Sequence, residues 1–178
     1  MSLLEDLDVE DLLSLPKGFR YELHGGNLVI MTPSTFWHKY TTRRLLLMLH
    51  AAGLDAYQDP GVRGNRPRDC RLPDLGVLAG PLPSGKLTYS NLPGDAYQIV
   101  IEVVSRNSEN GEYTHKANWF ASCGIPEYWI VDETSDRDEN DAVVLMHRLA
   151  LSGDAPTYVR ERTVLLSDLE AEYRSKRA

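Results

Sequence analysis

Ile99-Val100-Ile101-Glu102-Val103-Val104 sets five apolar side chains around one carboxylate. A short run of this kind, rich in β-branched residues, reads as a strand buried on both faces. Leu72-Pro73-Asp74-Leu75-Gly76-Val77-Leu78 repeats the pattern, again with a single acid. Around these runs the pattern predicts a short helix over 8–13 ended by Pro16. Two strands over 19–23 and 28–31 follow, joined through Gly25-Gly26. Ser34 is placed to cap a helix to about residue 52, with His38, Leu45 and Leu49 on one face and Gly53 as its stop. A strand over 54–59 leads to a loop bearing Arg63, Arg66, Arg68 and Arg71. The Asp74 strand ends at Gly80-Pro81, and 80–96 reads as a long irregular connection, functional or mobile.

After the Glu102 strand and a polar loop over 105–111 comes a helix over 112–123, stopped by Gly124. Strands over 126–131, 142–149 and 157–164 follow, the last two across a Gly153-Asp154 turn. Ser167 and Glu170 have the spacing of a capping box for a final helix. A helix between two strongly apolar strands is a crossover unit, so the expected fold is a mixed α/β sheet flanked by helices, with an N-terminal hairpin and further antiparallel strands. No repeat or linker divides the chain, so one domain over 1–178 is expected.

The two acids carry the candidate chemistry. An ionised carboxylate in an apolar interior costs several kcal/mol, on the order of a broken buried pair, unless a metal or cation meets it. Alternation puts Gln98, Val100, Glu102 and Val104 on one strand face, and Leu72, Asp74, Gly76 and Leu78 on another, where Gly76 leaves room for an ion or phosphate. Helical spacing puts Lys116 on the apolar face with Trp119, Phe120 and Cys123. Its ammonium either snorkels beside Glu112 or meets an anion at the sheet end. Glu22 shares a face with Arg20 and His24, as a further ligand or an ordinary ion pair. His38 reads most simply as a hydrogen-bonded core residue, Ser105 as a turn or cap, and Tyr128-Trp129 as core packing. Two acids and a lysine aimed at one sheet suggest metal-dependent phosphodiester chemistry. Magnesium, with manganese as substitute, takes one or two carboxylates plus other oxygens, and Asp74, Glu102 and the Val103 carbonyl supply such a set. Lys116 would orient the attacking water or neutralise developing charge. A glycosidase would also use paired carboxylates, but it has no role for the lysine.

Composition changes this picture little. The 178 residues are 42% hydrophobic and 25% charged, an ordinary globular mixture without a membrane-length apolar stretch. The acidic start lacks a signal peptide's pattern, and Cys70 and Cys123 have no zinc-ligand spacing, so a reducing cytoplasm is expected. The net charge of −7 argues against a protein that coats nucleic acid, although six acids sit in 132–141, expected to be a solvated hairpin tip. The four arginines run the other way and feed directly into Asp74 as candidate phosphate contacts.

Together, Tyr21-Glu22-Leu23 with Gly25, His38, Pro73-Asp74, Ile101 to Ser105, Lys116 and Gly124 to Asp132 resemble the Uma2 family of the restriction-endonuclease-like PD-(D/E)XK superfamily. The resemblance implies a nuclease fold, with Asp74 and Glu102 as metal-binding acids. The superfamily's usual lysine position is Val104 here, and Lys116 in the following helix takes its place. It further implies roles for Glu22 and His38. DNA becomes the expected partner, and homo-oligomerisation stays open. Glu112 stands where the family pattern has Asp.

Overall fold

The computed structural model describes residues 7–104 and 111–176; the acidic residues 1–6 and Ser105 lie outside them. A 3-10 helix at Val9–Ser14, closed by a capping box on Asp8 and Asp11, precedes the hairpin β1 (Tyr21–His24) and β2 (Asn27–Ile30). Then come α1 (Phe36–Ala51), β3 (Ala56–Gln58), β4 (Gly61–Arg63), β5 (Cys70–Arg71), β6 (Leu75–Leu78) and β7 (Asn91–Pro93). The chain continues through β8 (Tyr97–Val103), α2 (His115–Ser122), β9 (Glu127–Asp132), β10 (Val143–Ser152), β11 (Ala155–Leu165) and α3 (Leu166–Ser175).

These strands form two mixed sheets, ordered β11-β10-β9-β8-β6-β3 and β2-β1-β5-β4-β7. In the larger sheet β8 runs parallel to β9 and antiparallel to β6, with α2 as the crossover. The alternation of β8 feeds two cores. Ile99, Ile101 and Val103 pack with Leu45 and Leu49 of α1, Trp129 and Leu166 of α3. Val100 and Val104 pack with Phe120 of α2, Tyr128 and Ile130. Helices therefore cover both faces of the strand that carries Glu102. Each such aliphatic side chain contributes about 1.5–3 kcal/mol by leaving water. Tyr128 and Trp129 point into opposite cores, as core packing requires.

Several local expectations change. The arginine-bearing stretch contains β4 and β5, and 80–96 ends in β7, which pairs in parallel with β4. Gly61 makes this close pairing feasible, since a Cβ there would lie 2.5 Å from the Ser90 carbonyl oxygen. Gly76 is likewise a packing glycine. A Cβ would meet Pro60 at 2.8 Å and the Tyr97 ring at 2.9 Å, so the expected room for an ion is filled by those two residues. Thr35, not Ser34, caps α1 through its hydroxyl. Ser167 and Glu170 form no capping box: Ser167 bonds Asp141 and Glu170 holds Arg44. The helix over 112–123 begins only at His115, because a turn on Gly111 at φ +72° precedes it. The acidic tract does connect the antiparallel pair β9–β10, with residues 135–140 exposed. Burial pushes the free thiols of Cys70 and Cys123 up, to about 12 and about 11. Among the described residues no helix is long and apolar enough to cross a membrane.

Candidate active site

Antiparallel pairing of β6 with β8 matches Leu75 to Ile101, so Asp74, one residue before β6, falls beside the end of β8. The Val103 N–H donates to Asp74 Oδ2 at 2.8 Å, and His38 Nε2 of α1 lies 3.1 Å from the same oxygen. Arg20 Nη2 lies 3.5 Å from Oδ1. Burial alone would raise this carboxyl. The His38 contact, the Val103 N–H and Arg20 outweigh it and hold Asp74 below the usual carboxylate range.

Glu102 and Lys116 meet behind Asp74. Phe120 seats α2 in the same core as Val100 and Val104, which brings Lys116, one turn earlier, over Glu102. Lys116 Nζ lies 3.1 Å from Glu102 Oε1, 3.7 Å from Glu112 and 4.0 Å from Glu22, all at buried side chains. The Tyr128 hydroxyl donates to the Glu112 carbonyl and fixes the turn before α2. Burial pushes Glu102 well above its ordinary value; Lys116 opposes this, while Asp74, Glu22 and Glu112 add to it. For Lys116 burial acts downward, but Glu102, Glu22 and Glu112 prevail and keep the ammonium charged. Glu22 arrives from the smaller sheet, accepting from the Leu72 N–H at 3.0 Å and pairing with His24 at 2.8 Å. Burial raises Glu22, yet His24, Lys116 and the Leu72 N–H hold it low. It is thus both a hydrogen-bond partner of His24 along its strand and a member of the cluster.

Asp74, Glu102, Lys116, Glu22 and His38 are therefore one contiguous charge network. The four arginines are not gathered on it. Arg63 bonds Asn91, and Arg68 reaches the Leu7 carbonyl. Arg71 bonds the Leu23 carbonyl at 2.6 Å and Asp69 at 2.8 Å, with its guanidinium 4.8 Å from the Trp119 ring centre. Arg66 alone is exposed on a turn without such a tie. Arg71→Ala is accordingly expected to cost about 1–3 kcal/mol in urea unfolding, the range for buried groups left unpaired, and Arg66→Ala under about 0.5. Equal effects would make Arg71 an ordinary surface cation.

Two neighbours escaped the reading of the sequence. Arg20 Nη2 lies 2.6 Å from Asp59 Oδ1 and so bridges Asp59 and Asp74. Asp59 holds φ at +50° and donates its N–H to the Asp74 carbonyl. Burial and Asp74 raise the Asp59 carboxyl against the pull of Arg20. The Asp59-Pro60-Gly61 turn was the available signal. A cleft of about 660 Å³ opens on this side, lined in part by Phe19, Arg20, His38, Lys39, Asp59 and Asp74. A second concavity of about 250 Å³, between α1 and α3, includes none of the five network residues.

The residues suit a hard divalent cation. Every anionic donor is a carboxylate oxygen, and Asp74, Glu22 and Glu112 press on Glu102 against the pull of Lys116. Among the described residues no group of three or more His, Cys, Asp or Glu forms a metal cage. Two carboxylates completed by other oxygens is how magnesium is usually held.

A mixed sheet sandwiched by helices, with acids at the end of its central strands, belongs to a nuclease-like fold class. Among solved structures it is similar to a protein of Anabaena variabilis described as "a putative nuclease belonging to DUF820". The two share 13% identity at a TM-score of 0.63, over 94% of this chain and 99% of the other. The chain belongs to the Uma2 family, described as "Putative restriction endonuclease", whose model matches residues 9–177. The family supports a nuclease-like function. No curated protein matches the chain.

Proposed function

We propose that this protein is a magnesium-dependent endonuclease that hydrolyses DNA phosphodiester bonds, with manganese able to substitute. One observation carries the reading: Asp74, Glu102 and Lys116 converge at one sheet end, with Lys116 kept cationic by three buried carboxylates. Asp74 and Glu102 would hold the ion, with the Val103 carbonyl beside them. Bound there, magnesium supplies Lewis-acid stabilisation of charge on the phosphate oxygens. His38 and the Val103 N–H fix one oxygen of Asp74 and orient the other. Lys116 has three N–H donors. Glu102 engages one, and the others orient the attacking water or meet the charge that develops at phosphorus. Glu22 and Glu112 keep that ammonium in place. Arg20, at the cleft wall, meets the incoming phosphate.

The rival is a nuclease-fold module that binds nucleic acid or a protein partner without cutting. The cations beside Asp74 and Glu102 favour it, because Arg20 and Lys116 compensate part of the cluster's charge without a metal. Manganese titration separates the two. At a hundredfold excess over Kd, binding adds about 2.7 kcal/mol, or roughly 5–10 °C in Tm for a chain of this size. Asp74→Ala should abolish both that rise and the magnesium-dependent nicking of a supercoiled plasmid. An equal rise in the variant removes Asp74 from the site. A wild-type protein that neither shifts nor nicks leaves the rival.

A further inference from the structure

The exposed face of α1 is unlike the rest of this acidic surface. The helix has no Asp or Glu in its 16 residues, in a chain of net charge −7. Phe36, Lys39, Tyr40, Arg43 and Leu47 are all exposed, Phe36 at 86%. Their spacing of three and four residues lines them along one face. Single exposed apolar residues are commonplace, but a continuous aromatic and basic stripe marks an interaction surface. Lys39 Nζ lies 5.1 Å from the Phe36 ring centre, so ring and cation are offered together there, while the Arg44 guanidinium, held by Glu170, braces the Tyr40 ring at 5.5 Å. Lys39 also lines the cleft that contains Asp74. From Phe36 to Leu47 the helix rises about 16 Å, room for about four or five nucleotides at the rise of a stacked strand.

We propose that α1 is a docking rail for single-stranded nucleic acid: unpaired bases stack on Phe36 and Tyr40, while Lys39 and Arg43 take the phosphates and lead the strand to Asp74. The proposal rests on the nuclease reading for what happens at Asp74, though not for the binding itself. Exposed rings favour a single strand, because a duplex keeps its base faces stacked inside. The flank argues the same way. On the Trp37 side the start of α1 borders Glu133, Asp138 and Glu139, with Arg137 paired to Glu133, so a duplex wide enough to cover both sides would bring phosphates against a net negative flank.

Anisotropy of a short labelled oligothymidylate, its ribonucleotide counterpart and the matching duplex, in EDTA so that nothing is cut, tests this. Phe36→Ala and Tyr40→Ala are each expected to weaken single-strand binding about 5- to 150-fold, the equivalent of ~1–3 kcal/mol per stacked base. Lys39→Gln and Arg43→Gln should each flatten the log–log salt slope by about 0.7. A preference between the two oligomers supports the docking and names the sugar. Unchanged affinity in the Phe36→Ala/Tyr40→Ala double variant overturns the proposal, as does duplex binding equal to single-strand binding. So does binding to phosphatidylserine vesicles in place of the oligomers, which would assign the stripe to a membrane surface. Melting curves of each variant control for folding. Cleavage is not read, so failure here leaves the nuclease reading standing. Conversely, a chain that binds the strand as expected but never nicks DNA loses only that reading.

Discussion

Lys116→Met is expected to lower phosphodiester cleavage at least about 100-fold, at the low end of what a positioned proton-handling or charge-stabilising group supplies. The same change removes the cation that faces Glu102, Glu22 and Glu112, and breaking a buried pair in this way costs about 3–5 kcal/mol. Urea unfolding near neutral pH would read that cost. Its pH dependence has a defined sign. Burial and the neighbouring acids already raise Glu102, and without the lysine its folded-state value moves higher still. The folded carboxyl then takes a proton more readily than the unfolded one. The penalty is therefore full at and above the raised value, shrinks as pH falls, and is gone below the ordinary value of 4.5. Undiminished cleavage alongside this loss would reduce Lys116 to a counter-ion.

Phe120→Ala is expected to destabilise by about 3–5 kcal/mol, a Tm drop of roughly 6–20 °C. Phe120 is fully buried, edge-on to Trp119 at 5.2 Å and tilted against Tyr128 at 5.5 Å. Ala117 and Trp119 pack only at the edge of that core, so the cavity also loosens the seat of Lys116 one turn away. Cleavage assayed well below the new Tm should fall as well. A loss under about 1 kcal/mol in urea would mean that α2 is held by other contacts.

How much of this was legible follows from which signals are local. Glu102 could be read because its neighbours on both sides are apolar, and a charge breaking a buried run is visible in six letters. Lys116 could be read because helical spacing sets it among Trp119, Phe120 and Cys123. The β8–α2–β9 crossover followed from the same two patterns. What escaped depended on long-range pairing. β4, β5 and β7 are two or three residues each and carry almost no periodicity; they are strands because each finds partners far along the chain. Gly76 looked like an opening because the sequence cannot show Pro60 and Tyr97 closing over it. Arg63, Arg68 and Arg71 looked alike as a basic cluster, yet Asn91, Leu7 and Leu23, which engage them, come from other parts of the chain. The pairing of Arg20 with Asp59 and Asp74 was hidden for the same reason.

Glu22 belongs to the smaller sheet, Glu102 to the larger, Asp74 to the residue just before β6, and His38 and Lys116 to helices on the larger sheet's two faces. All five lie between residues 22 and 116, so a fragment must reach α2 to contain them. While the chain is being synthesised, Glu22, His38 and Asp74 emerge long before Lys116, and they remain without their lysine until α2 docks. Closing contacts of such separation in sequence carries a loop entropy that the cores formed around β8 must offset first. The charge cluster is therefore expected to close only after those cores have formed. A nascent chain that stops short of α2 lacks the lysine, so the network is complete only once that helix has docked.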